Sequence, residues 1–141
     1  MQKTYQPKAK DIKRSWHLID AKGKILGRMA SEIVGLLMGK QKVDYAPHMD
    51  MGDYVVVINA KDVELTGKKR EQKVYYSHSG YPGGLKEVKF EKLIKEQPSK
   101  VTQLAVKRML PSNRLKSNRM ARLKVFAGEK HNFENRVHKE G

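Results

Sequence analysis

Five consecutive residues, Tyr54-Val-Val-Val-Ile58, restrict what this chain can fold into. A β-branched run that is apolar at every position has no face to offer to water. It predicts a strand covered on both sides, the normal middle of an α/β sheet. Asn59-Ala-Lys61 leads out of it to Val63-Glu-Leu65, a short alternating strand. Thr66-Gly-Lys-Lys-Arg70 is then a glycine-hinged turn carrying three adjacent cations. Lys73-Val-Tyr-Tyr-Ser-His78 follows, and Gly80-Tyr-Pro-Gly-Gly84 closes the block as an obligate loop. A buried strand is thus coupled to a basic turn and an aromatic, glycine-rich loop, with flanking strands expected to fix the turn.

The segments on either side supply the rest of a fold. Trp16-His-Leu-Ile-Asp20 reads as a short strand, and Gly23 as the bend of the turn after it. Leu26, Met29, Ala30, Ile33, Val34 and Leu37 then recur at helical spacing and predict one complete core stripe. Arg28 and Glu32 are spaced as a wet-face ion pair, Gly39 suits the C-terminal cap, and Lys40 complements the helix dipole. Strand, helix and buried strand make a βαβ unit, which calls for parallel pairing with a right-handed crossover. Downstream, Val88, Phe90, Leu93 and Ile94 predict a short helix ending before Pro98. Pro98 opens another helix, with Val101, Leu104, Ala105 and Met109 as its stripe, and Pro111 stops it. Residues 112–122 are very basic and predict a short, mostly exposed helix; Leu123-Lys-Val-Phe126 is a last short strand.

Charge narrows the partner. The 141 residues carry 30 Lys and Arg against 15 Asp and Glu, a formal net charge of +15. Self-repulsion on that scale points to a polyanion, with an anionic membrane surface as the next candidate. No run approaches the ~18 apolar residues of a membrane span, and residues 1–14 lack the apolar core of a signal peptide. Cys is absent, so disulfides and thiolate metal sites are excluded and a reducing compartment fits. The acids cluster in residues 44–65, the stretch that contains the buried strand, and basic blocks flank it. That pattern describes a compact body with cationic edges, a basic arm over residues 1–14 and a polar tail over 129–141.

Enzyme chemistry finds little support. Gly35-Leu-Leu-Met-Gly-Lys-Gln41 resembles a phosphate-binding loop, but its spacing is one residue short and Gln41 stands where Ser or Thr would hold the metal. It also lies at a helix end that repels phosphate. The five histidines, His17, His48, His78, His131 and His138, show no metal-ligand spacing, and no nucleophile motif is present. Asp50 and Asp53 are close in sequence without forming a recognisable acid/base site. The basic turn is a better candidate, because cations on a short fixed turn are pre-positioned for phosphates. Tyr75, Tyr76, His78 and Tyr81 offer flat faces to unpaired bases, against the plainer reading that at least one of the adjacent tyrosines is core.

Taken together, Trp16-His-Leu-Ile-Asp-Ala21, Leu26-Gly-Arg-Met-Ala-Ser31, Gly52-Asp-Tyr-Val-Val-Val-Ile-Asn-Ala60, Leu65-Thr-Gly-Lys-Lys69, His78-Ser-Gly-Tyr-Pro-Gly-Gly84, Ala105-Val-Lys-Arg-Met-Leu-Pro111 and Leu123-Lys-Val-Phe-Ala-Gly128 resemble the bacterial form of the ribosomal protein L-thirteen family. The resemblance implies a three-layer α/β/α fold around a small, largely parallel four-stranded sheet, as one domain over residues 15–128. It implies binding to large-subunit rRNA, a role in early assembly in the cytoplasm, neighbouring large-subunit proteins as partners, and no cofactor, metal, membrane or small-molecule substrate. The residues expected to meet RNA are Lys8, Lys10, Lys13 and Arg14 in the arm, with Arg28 and Lys40 on the first helix and its end. Thr66, Lys68, Lys69, Arg70, Lys73, Tyr76, His78 and Tyr81 follow in the central block. Lys107, Arg108, Arg114, Lys116, Arg119 and Arg122 complete the set. One departure is visible: the His-Pro-His often found near the family's tail is here His131-Asn-Phe133, so no RNA contact is carried over to that segment. Two other readings compete, a regulatory protein acting off the ribosome, which adds mRNA as a partner, and a nucleotide-using α/β enzyme.

Overall fold

The computed structural model describes residues 6–137; the first five residues of the arm, and His138 in the tail, lie outside the described residues. Strand β1 (Trp16–Asp20) leads into helix α1 (Leu26–Met38), and β2 (Tyr54–Ile58) returns beside β1 in parallel, Trp16 opposite Tyr54. A second parallel partner, β5 (Leu123–Val125), lies on the other side of β2. The order β1-β2-β5 puts the apolar strand in the middle, as its composition requires, with Val55, Val56 and Val57 fully buried.

The expected stripe of α1 is the core. Leu26, Met29, Ala30, Ile33, Val34 and Leu37 are all buried, packed with Ile19, Val55, Val57 and Leu123 of the sheet. Helix α4 (Pro98–Met109), opened by its N-terminal proline, adds Val101 and Val106 to the same cluster, and helix α3 (Phe90–Glu96) adds Phe90, Leu93 and Ile94. Gly39 ends α1 in the left-handed region at φ 81°, and its amide donates to the Gly35 carbonyl.

Four expectations need correction. The parallel sheet has three strands, not four: Val63–Leu65 makes only one bridge, Glu64 to Ile25, before Thr66 and Gly67 turn the chain away. The basic turn is therefore not flanked by sheet strands; it runs into a one-turn helix, α2 (Lys69–Gln72). Residues after it form an antiparallel hairpin, β3 (Val74–His78) with β4 (Leu85–Lys89), so Val88 belongs to a strand rather than to the helix that starts at Phe90. Of β4, only Val88 is even half-buried, which leaves no apolar alternation to read. Finally, α5 (Lys116–Ala121) is only half exposed where a mostly exposed helix was expected, because Arg119 within it and Arg122 just after it are buried.

The second face of the parallel sheet is met by the tail instead of a full helical layer. Trp16 stacks on Tyr54 at 4.2 Å between ring centroids, and Phe133 stacks on Trp16 at 5.2 Å. Among the described residues the single turn α6 (Glu134–Val137) follows, with the Arg136 guanidinium 5.3 Å from the Trp16 ring.

Candidate nucleic-acid interface

The two ends of α1 have opposite electrostatic characters. At its C-terminal end the orphan carbonyls are capped by distant segments. The Asp53 amide donates to Leu36 O at 3.0 Å, and Arg122 Nη2 donates to Leu37 O at 2.9 Å. Arg122 also pairs with Asp50, whose carboxylate faces Arg119 Nε at 3.8 Å and Arg14 Nη2 at 3.9 Å. Burial pushes the Arg122 guanidinium down from its ordinary value, and Asp50 opposes that push. Asp53 is a second hub: Lys42 Nζ and His17 Nε2 each lie 2.8 Å from it, and the Ser15 amide donates to it at 3.1 Å. Burial raises the Asp53 carboxyl, but these hydrogen bonds outweigh it and hold the group below its usual range.

This assigns three of the sequence candidates a structural job. Arg119 is 1% exposed and Arg122 5%, and Arg14 is half-buried with its guanidinium on the carbonyls of Gly52 and Asp50. None of the three presents a free charge to RNA. Their common partner is Asp50, and it and Asp53, which holds His17 and Lys42, are the pair that sequence reasoning missed. The signal was two carboxylates, Asp50 and Asp53, immediately before an apolar strand, with the arginines that Asp50 holds far away in the chain.

At the N-terminal end of α1 the balance reverses. A pocket of about 490 Å³ opens there between α1, the Leu65–Thr66 turn, α2, β3 and the last turn of α4. Arg28, Lys69, Lys73 and Arg108 line it, and no carboxylate does. Arg28 makes no ion pair with Glu32, contrary to the spacing argument; every ion pair among the described residues goes to Asp50 or Asp53. Desolvation pushes the Lys73 ammonium below its ordinary value, and repulsion from Arg108 and Lys69 adds to it. Lys73 Nζ and the Arg108 guanidinium each sit 5.5 Å from the Tyr75 ring centroid. Tyr75 is the buried member of the tyrosine pair at 7% exposure, and Tyr76 is 60% exposed.

The structure thus brings Arg28, Thr66, Lys69, Lys73 and Arg108 to one cavity from three separate stretches of sequence. Lys68 and Arg70 are exposed beside it, before and within α2. Tyr76 and His78 are exposed on β3, and Tyr81 is 75% exposed in the hairpin loop. Lys107 is exposed on α4 next to Arg108. Lys8, Lys10, Lys13 and Lys40 are exposed but lie on the arm and past the far end of α1, and Arg114 and Lys116 flank the start of α5, the first exposed and the second half-buried. None of these last six lines the pocket. Among the described residues, no cluster of three or more His, Asp or Glu could hold a metal, and no helix is long and apolar enough to cross a membrane.

Comparison with known proteins decides the family. The family model described as ribosomal protein L13 matches residues 14–132. The chain belongs to the ribosomal protein L13 family. A relative from Syntrophus aciditrophicus, named large ribosomal subunit protein uL13, is 54% identical over 132 residues, covering 94% of this chain and 93% of its own. The uL13 protein of Thermotoga maritima is 52% identical over 131 residues, 93% of this chain and 88% of that one. That of Pseudomonas entomophila is 53% identical over 129 residues, 92% and 91% respectively. The L13 match begins at Arg14 and ends at Asn132, so it takes in both hubs, the pocket and the hairpin.

Proposed function

We propose that this chain is a structural, non-catalytic constituent of the large ribosomal subunit in the cytoplasm, binding the subunit's rRNA and supporting its early assembly beside neighbouring ribosomal proteins. One observation supports the placement of the RNA: five candidate residues from three stretches converge on a carboxylate-free pocket, with Lys68 and Arg70 exposed on the same turn and Tyr76 and Tyr81 exposed on the hairpin that follows. Affinity then comes mainly from counterion release at these cations. Exposed aromatic rings on β3 and in the loop supply faces on which unpaired bases stack. Arg14, Arg119 and Arg122 are left out of the interface, since the Asp50 hub already uses them. No observation favours messenger RNA as a partner.

The test is titration against a large-subunit rRNA transcript at several salt concentrations. Wild type should show a steep fall of affinity with salt. Lys68→Ala with Lys69→Ala should melt like wild type, because exposed substitutions usually stay within ~0.5 kcal/mol. It should bind more weakly, with the salt slope reduced by roughly one per lost phosphate contact. An unchanged affinity and slope would remove this face from RNA binding.

A further inference from the structure

Resting on that reading, we propose that the pocket at the N-terminus of α1 is a nucleotide site: it receives one phosphorylated nucleoside, either a turned-out residue of the bound RNA or a free nucleotide. Three independent features point there. The first is the helix end. Ile25 is the N-cap without a side-chain cap, and no acidic residue occupies the first turn. Leu26 N–H is taken by Glu64 O, while the amides of Gly27 and Arg28 have no protein acceptor. Orphan amides backed by a helix dipole form a ready anion site. The last turn of α4 brings its carbonyl end to the same pocket, but Arg108 sets a full charge against that partial one.

The second feature is an unsatisfied group. The Tyr75 hydroxyl is buried without a hydrogen-bond partner, the only such group among the pocket's lining residues. Buried hydroxyls are normally paired, and one that is not marks a place for a missing partner. A phosphate oxygen supplies the acceptor that the protein does not. The third is the character of the walls. Ile25, Leu65 and Met109 are apolar and line the same cavity of about 490 Å³ as the four cations. That is more room than a phosphate needs and lies within the usual range for small-ligand pockets. Apolar and cationic lining in one cavity offers contacts to both a base and its phosphate.

Two variants test this without losing the fold. Gly27→Asp puts a carboxylate in the first turn of α1, where it favours the helix but repels phosphate, and an added Cβ at Gly27 meets nothing within 4 Å. Ser31→Leu changes no charge but fills part of the pocket from an exposed position on the same helix. Both should melt at or above the wild-type temperature. Against the large-subunit rRNA transcript, both should weaken binding several-fold, and Gly27→Asp should lower the salt slope by roughly one. In parallel, adenosine 5′-monophosphate is titrated into the free protein while the Gly27 and Arg28 amide resonances are followed. Weakened rRNA binding in both variants assigns the site to an RNA residue. Unchanged rRNA binding with nucleotide-induced shifts in wild type, lost in both variants, assigns it to a free nucleotide. If Gly27→Asp alone weakens RNA and nucleotide shifts nothing, the effect is bulk charge and the pocket proposal is overturned. If neither variant nor nucleotide has any effect it is likewise overturned, while the Lys68→Ala, Lys69→Ala result still decides the rRNA reading by itself.

Discussion

Replacing Gly52 by alanine should be among the most damaging single-methyl changes in this fold. A Cβ at Gly52 would lie 1.6 Å from Leu37 O and 2.3 Å from Leu37 C, both backbone, and 2.9 Å from Arg122 Nη1. To reach ordinary contact at 3.4 Å, the loop must retreat from α1 by about 2 Å. That retreat pulls the Asp53 amide off Leu36 O and drives Arg122 off Leu37 O, the bonds that cap the helix. The lost backbone bond is worth about 1 kcal/mol and the charged one about 1.5–3. Overpacking adds about 1–3 kcal/mol. A loss near 4 kcal/mol is the conservative end. With an unfolding entropy of about 2.1 cal/mol/K per residue, that lowers Tm by roughly 12–15 °C. The assay is calorimetry of wild type beside two variants. Gly35→Ala is the control, on the same helix, with helical backbone and nothing within 4 Å of its Cβ. It should gain about 0.5–1 kcal/mol and raise Tm by a few degrees. If Gly52→Ala melts within about 3 °C of wild type, the capping of α1 by this loop is not what holds the helix end.

Three further outcomes are expected. Asp53→Asn should cost about 1.5–3 kcal/mol at pH 7, since it removes the charge that Lys42 and His17 face at 2.8 Å, while Lys42 keeps the carbonyls of Lys13 and Met51. Because the folded Asp53 carboxyl is held below its ordinary value, its contribution is present above the unfolded value of about 4 and is lost as pH falls through the lower folded value. Urea midpoints against pH should therefore lose part of their acid limb in the variant; an identical limb would refute the assignment. Ile33→Ala, at a fully buried stripe position, should cost about 2–5 kcal/mol by denaturant melt, and wild-type stability would disprove the core role of the stripe. Phe133→Ala should shift the emission of Trp16, the only tryptophan, to the red, because it uncovers one face of that ring; an unmoved spectrum would mean the tail does not dock.

How much of this could be read beforehand depended on whether a residue's partners were near it in sequence. The stripe of α1 and the β-branched run of β2 announce their burial through local period and composition, so the βαβ unit was legible to the residue. Val63–Leu65 had the alternation of a strand, but a strand also needs a neighbour along its whole length, and here only Glu64 found one. The hairpin was hidden for the opposite reason. Strand β4 is nearly all exposed, so selection for burial left no pattern in it. The buried arginines were illegible because their partner Asp50 lies about seventy residues away, and a cation looks the same whether it meets a carboxylate or a phosphate. The pocket was half legible: its cations were named one by one, but only the packing of α4 against α1 brings Arg108 to Arg28.

The two carboxylate hubs explain how so basic a chain folds without giving up its charge for binding. All five ion pairs among the described residues use Asp50 or Asp53, and both hubs sit at the C-terminal end of α1. The pocket sits at the N-terminal end. Thirteen residues separate the ends, which at about 1.5 Å per residue is roughly 20 Å. That exceeds two screening lengths of about 8 Å at physiological salt, so the acids neutralise their own arginines and scarcely weaken the field at the pocket. The helix dipole acts in the same sense, with its negative end on Arg122 and its positive end on the cavity. On the proposed placement of the RNA, stability and RNA affinity are therefore separable along one helix. Substitutions at the Asp50 end should change melting and leave the salt slope of the remaining folded protein intact, whereas those at the Arg28 end should do the reverse.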